Sequence, residues 1–227
     1  MASARRTCRA LLPALLVAAL PAIASGPLTT PEETAATLAS LHPDYGDYIA
    51  HVRFGDRRAK PPGIDAGLVR PGGGDPRDPE EGPLMGRGQR NDLIIYADTF
   101  APEASAAWRR LLPDHEYFHA RHLARGFDIP AVSFGEAQAD RDYCEALAWG
   151  WVLRRAVEGI YGTLSARERA EVEDLYSRHF EGFHRFVMRR QPAAWAHYGR
   201  FLPPPGIMSA EPVAARAPSP EADQALR

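Results

Sequence analysis

His115-Glu116-Tyr117-Phe118-His119 is the stretch of this 227-residue chain most able to do chemistry. It has the form H-E-x-x-H. On a helix, positions i and i+4 share a face, so both imidazoles can reach one metal ion, and Zn²⁺ is the usual occupant of such a pair. Glu116 then lies beside the metal without having to bind it, where it can take a proton from a metal-bound water. Catalytic zinc generally takes three protein ligands and keeps a fourth position for water. The downstream candidates for the third are His122, Glu136, Glu145 and His179.

The extended pattern H-E-x-x-H-x-x-G-x-x-H is absent. Its glycine position holds His122 and its last position holds Arg125. His122 shares the face of the two histidines but sits about 10 Å along the axis from His115, too far to close the same tetrahedron. Glu136 is the better choice: it opens the next helix after a turn containing Gly126, Pro130 and Gly135. Asp140, one turn beyond on the same face, can accept the free N–H of a metal-bound histidine and fix its tautomer. Glu145 is nine residues past Glu136, about 180° around the helix, and is predicted to point away. A competing role for Glu136 is as the capping-box partner of Ser133, and for Asp140 a place on a solvated face near Arg141. His179 falls on the apolar face of a later helix, where a core role and a substrate-facing role both remain open.

The elements that must position these residues are legible in outline. Thr30-Pro31-Glu32-Glu33 opens a short helix with a capping box, which runs to about Leu41 and stops before Pro43. Alternation from Tyr48 to Phe54 predicts a strand, with His51 on its surface or edge. Residues 61–90 are punctuated by proline and glycine and are predicted to be a long irregular loop. Leu93-Ile94-Ile95-Tyr96 predicts a short buried strand. A helix is predicted from Pro102, and Pro113 either kinks it or starts a new one; the motif helix then runs to a stop at Gly126. Ser133 is predicted to cap a helix over 134–158. Ser165 and Glu168 form a second capping box, ahead of an apolar stripe through Val172, Leu175, Tyr176, Phe183, Phe186 and Val187. Pro192 begins a last short helix.

Residues 1–24 have the pattern of a secretory signal peptide: Arg5, Arg6 and Arg9, a short apolar run, and Ala22-Ile23-Ala24 as a cleavage signature. Residues 25–202 are then read as one domain, and 203–227 as a disordered tail rich in proline, alanine and charge. A net charge of −2 gives no reason to expect nucleic acid or an anionic membrane as a partner. Cys144 alone would remain after cleavage, so an internal disulfide and a cysteine-type zinc site are both excluded in that product.

His115-Glu116-x-x-His119 followed by Glu136-Ala137-Gln138-Ala139-Asp140 resembles the H-E-x-x-H … E-x-x-x-D arrangement of gluzincin metallopeptidases, the thermolysin-like clan. The resemblance covers roughly residues 91 to 155. It implies His115, His119 and Glu136 as zinc ligands, Glu116 as general base and Asp140 as the orienter of a ligand. It also implies Leu93–Tyr96 as the edge strand that aligns the substrate backbone, and an additional transition-state donor, sought among His179, Tyr143 and Tyr161. The expectation is a mostly helical α+β domain with a zincin-like active-site helix and a small β-sheet. Its function would be that of an exported zinc-dependent metallopeptidase acting on a peptide or protein substrate, with no stable membrane span after cleavage. The alternatives are a non-enzymatic envelope protein with a structural or vestigial H-E-x-x-H site, and a zinc amidase acting on cell-wall peptides.

Overall fold

A computed structural model describes residues 30–55, 58, 67–71, 90–96, 104–124, 126–129 and 133–207. The predicted signal segment, most of the 61–90 stretch and nearly all of the predicted tail lie outside these residues. The described fold is mostly helical with one small sheet, an α+β arrangement.

Helix α1 (Pro31–Leu41) starts with the expected capping box: Thr30 Oγ1 accepts from Glu33 N–H, and the Glu33 carboxylate accepts from Thr30 N–H. A single helical turn, α2 (Tyr45–Tyr48), leads into β1 (Ile49–Gly55). Strand β2 (Gly67–Pro71) lies inside the stretch predicted to be irregular throughout. It has only five residues, among many glycines and prolines, too short to carry a readable period. Strand β3 (Asn91–Tyr96) pairs parallel with β1 and antiparallel with β2, in the order β1-β3-β2. Leu93–Tyr96 therefore belongs to the central strand of the sheet, not to an edge, and β2 is the edge strand that packs near α3.

Helix α3 (Ala106–Leu123) carries the H-E-x-x-H motif and is continuous through Pro113. Proline removes one N–H from the helical ladder, yet the helix neither ends nor restarts there. Its start is set by Ser105, whose hydroxyl accepts from Trp108 N–H. Three faces of α3 have three destinations. Tyr117 and Ala120 pack on the sheet with Leu38, Ile49, Leu93 and Ile95. Leu111, Leu112 and Phe118 join the larger helical core. His115, Glu116 and His119 make the third face. Asn91 locks α3 to the sheet, its side-chain N–H₂ donating to the carbonyls of Tyr48 and Ala120.

Helix α4 (Ala137–Val157) packs on α3, and α5 (Ala166–Arg190) packs on α4. The core between them includes Tyr143, Leu147, Val152, Val172, Tyr176, Phe183 and Val187, and the other two residues of the stripe predicted for α5, Leu175 and Phe186, are partly buried against it. A 3₁₀ turn (Pro192–Ala194), α6 (Trp195–Tyr198) and a second 3₁₀ turn (Gly199–Phe201) follow. Pro203, where the tail was predicted to begin, is buried, and its carbonyl accepts from Tyr176 Oη–H. Gly150 makes room for it: a Cβ there would lie 2.7 Å from Pro203 Cδ. No helix among the described residues is long and apolar enough to cross a membrane.

A buried polar junction fixes α3 beside the motif. Asp114 is fully buried and accepts from Arg155 Nε at 2.8 Å and from the Tyr161 hydroxyl; it also pairs with His42 at the end of α1. His42 stacks on Tyr117 with ring centroids 3.8 Å apart. A buried carboxylate is tolerable only with its lone pairs filled, so this junction specifies how α1, α3 and α4 meet.

A second junction sets the far end of α3. Glu168 closes the predicted α5 capping box with Ser165 and also accepts from the backbone N–H of Ser105 at 2.9 Å. Burial pushes the Glu168 carboxyl up, but the Ser105 and Ser165 donors outweigh it and hold the group below its ordinary 4.5. A depressed folded-state pKa stabilises above the unfolded value and the stabilisation is lost as pH falls through the folded one. Glu168→Gln should therefore be less stable than wild type at neutral pH, with the gap closing below about pH 4. Denaturant midpoints across that range check it; a gap independent of pH would show that the Glu168 charge contributes nothing.

Candidate metal centre

His115, His119 and Glu145 converge to form a group whose potential ligand atoms all lie within 4.8 Å of one another. The two imidazole Nε2 atoms are 3.1 Å apart. Glu145 brings Oε2 to 3.3 Å from His115 Nε2 and Oε1 to 3.7 Å from His119 Nε2. Ligands at about 2.0–2.1 Å on a tetrahedral zinc are spaced roughly 3.3–3.4 Å apart, and the three separations straddle that value. Two imidazole nitrogens at 3.1 Å cannot simply face lone pair to lone pair; they share a proton or a cation.

The convergence follows from how α3 and α4 pack. Contacts run in opposite order along the two helices: Glu145 meets His119 and His115, Trp149 meets His115, and Arg155 meets Asp114. Glu136 does not come to the histidines. It is the exposed N-cap residue of α4, with extended backbone at φ −135° and ψ 112°. Nine residues at 1.5 Å rise put it about 13 Å along α4 from Glu145. The phase argument that separates Glu136 from Glu145 is sound, but the face turned to α3 is that of Glu145.

The other expectations tied to Glu136 move with it. Asp140 accepts from the Ser133 hydroxyl and the Phe134 N–H, so it organises the chain leading into α4 rather than orienting a ligand. Ser133 is not the cap of a helix starting at Phe134; the helix begins at Ala137. The E-x-x-x-D pair thus lies off the site, and what remains of the resembling pattern is H-E-x-x-H with Glu145.

His122 is buried against Phe118 and stands outside the group. His179 Nδ1 is 2.9 Å from Asp142 Oδ1, which places it against α4 one turn before Glu145. Tyr161 donates to Asp114, and the Tyr143 hydroxyl is buried among Phe134, Phe183 and Tyr198. His51 is on the surface, with Asp92 as partner.

Glu145 was legible by a signal other than helical phase. It is the sole charged residue between Asp142 and Arg154, in the run Tyr-Cys-Glu-Ala-Leu-Ala-Trp-Gly-Trp-Val-Leu. A lone acid within so apolar a stretch must be partnered if the helix is buried. Glu136 stands in a polar stretch and carries no such demand.

The electrostatics fit a cation site. Burial pushes Glu145 up, but His119 and His115 outweigh it and hold the carboxyl well below its ordinary range. Burial pushes His119 down, and the Glu145 charge and hydrogen bond, with Glu116, more than reverse this. Glu116 is almost fully buried, and desolvation raises it above an ordinary carboxylate; the two histidines draw it partway back. A buried carboxyl raised in this way beside two imidazoles has the character of a candidate proton acceptor. No protein-family model, curated protein or solved structure matches the chain.

Proposed function

We propose that this protein is a zinc-dependent peptidase of gluzincin type, with His115, His119 and Glu145 as the ligand set. The observation that carries the reading is the convergence of Glu145 from α4 on the i, i+4 histidine pair, with Glu116 buried beside them. Among the described residues the group offers two imidazoles and one carboxylate, which suit zinc; three protein donors are the catalytic complement, whereas structural zinc takes four. This favours an enzyme over a structural or vestigial site. The zincin-like character of α3 belongs to the same proposal.

When bound, zinc would lower the pKa of a water toward ~7 and polarise the scissile carbonyl. The chain's own residues do the rest. His115 and His119 fix the position of the cation from a single helix face, and α4 supplies the charge that balances it. Glu116, held in a desolvated pocket, accepts the water's proton and delivers it to the leaving amine. The side of β2 that pairs with no strand among the described residues is the edge along which an extended peptide would lie. Export is part of the proposal, on the signal pattern of residues 1–24; the exported protein should start near Ser25, and N-terminal sequencing that finds Met1 would refute it.

The test is metal analysis paired with a broad peptide digestion screen. One zinc per chain is expected, with cleavage that stops on chelation and returns with zinc. Zinc-loaded protein that cleaves cell-wall amides but no ordinary peptide would make it the amidase. Zinc binding with no hydrolysis of either would make the site structural.

A further inference from the structure

We propose that Trp149 is the positioning residue for the His115 ligand, taking by ring contact the role that a hydrogen-bond acceptor has at most zinc sites. The inference rests on His115, His119 and Glu145 being the metal site. A metal-binding histidine ordinarily donates its other ring N–H to a carboxylate, carbonyl or water, which fixes the tautomer and the ring orientation. Binding through Nε2 leaves the proton of His115 on Nδ1. That atom is fully buried and has no hydrogen-bond partner among the described residues. The imidazole is instead packed on the Trp149 indole, ring centroids 4.1 Å apart and planes tilted by 36°. Both residues are at least 95 % buried, so the contact is not on a solvated face.

Trp149 lies one helical turn beyond Glu145 on α4, so a single rigid segment carries both the ligand and the ring that holds its partner. In the E-x-x-x-D arrangement that position, counted from the ligand glutamate, would be the aspartate; here it is tryptophan. An indole can fix the angle of an imidazole but cannot accept a proton or raise its basicity as a carboxylate does. His115 is thereby oriented without added negative charge, and among the described residues Glu145 is the carboxylate of the group.

The test measures zinc affinity of the whole protein by chelator competition, with melting temperatures, for wild type, Trp149→Leu, Trp149→Phe and Trp151→Leu. Trp151 is on the same helix but touches His42, Phe118, Phe127 and Arg155 rather than the metal group. Trp149→Leu should weaken zinc binding by about 10–100-fold, and Trp149→Phe should recover most of the loss because a ring again faces the imidazole. Trp151→Leu should lower the melting temperature and leave affinity unchanged. A Trp149→Leu variant that binds as tightly as wild type, or an equal loss in Trp151→Leu, overturns the proposal. Wild type that binds no zinc overturns the site itself along with it. One measurement needs no variant: in zinc-loaded wild type, the His115 Nδ1–H proton resonance should lie upfield of a hydrogen-bonded imidazole N–H. A strongly downfield position would reveal an acceptor and overturn the idea if the variants fail to fold.

Discussion

Glu116→Gln should cost hydrolysis about 10²–10⁴-fold, the range general acid–base catalysis typically supplies, with zinc still bound. Glutamine keeps the shape and volume of the side chain but cannot take a proton from water. The ligands are untouched, since Glu116 lies between the two histidines in sequence but outside the converging group. The substitution also removes a buried carboxyl whose charged form burial disfavours, so the folded state should not suffer. Turnover of a peptide cleaved by wild type, measured with zinc content on the same samples, gives the answer. A variant as fast as wild type would remove Glu116 from the chemistry and with it the peptidase mechanism.

Glu145→Ala should abolish tight zinc binding, by about 100-fold or more, because changes in residues that only support a ligand already cost ~10–100-fold. It takes away the one carboxylate in the group and leaves a buried and a partly buried imidazole with nothing in the group to balance a dication. Glu136→Ala and Asp140→Ala should bind zinc nearly as wild type does. Glu136 is exposed at the start of α4, and Asp140 is engaged with Ser133 and Phe134. Chelator competition on the four proteins separates the two assignments: a larger loss in Glu136→Ala than in Glu145→Ala would restore the arrangement expected from sequence.

Most local signals survive in the fold and relational ones do not; the cap expected at Ser133 is a local signal that fails, since α4 starts at Ala137. Both capping boxes, at Thr30/Glu33 and Ser165/Glu168, form as the residue pattern dictates, because each is decided by four consecutive residues. The α5 stripe holds for the same reason. The His115/His119 pair is likewise local, fixed by helical geometry alone. The third member of the group depends on which face of α4 meets α3 and how far along, and that is set by the connection between them and by partners such as Arg155 and Asp114. Periodicity separates Glu136 from Glu145 but does not say which side is inward; burial demand on a lone acid does. The sheet order fails in the same way. Leu93–Tyr96 reads as a buried strand, and its central place follows from β2, whose five residues sit among glycines and prolines.

The most direct measurement is anomalous diffraction at the zinc edge from crystals grown with equimolar zinc. The expected result is one peak about 2.0–2.1 Å from the Nε2 atoms of His115 and His119 and about 2.0–2.2 Å from a Glu145 oxygen, with one further position open to water. A peak coordinated by Glu136 in place of Glu145, a fourth protein ligand closing the site, or no peak between the two histidines would contradict it.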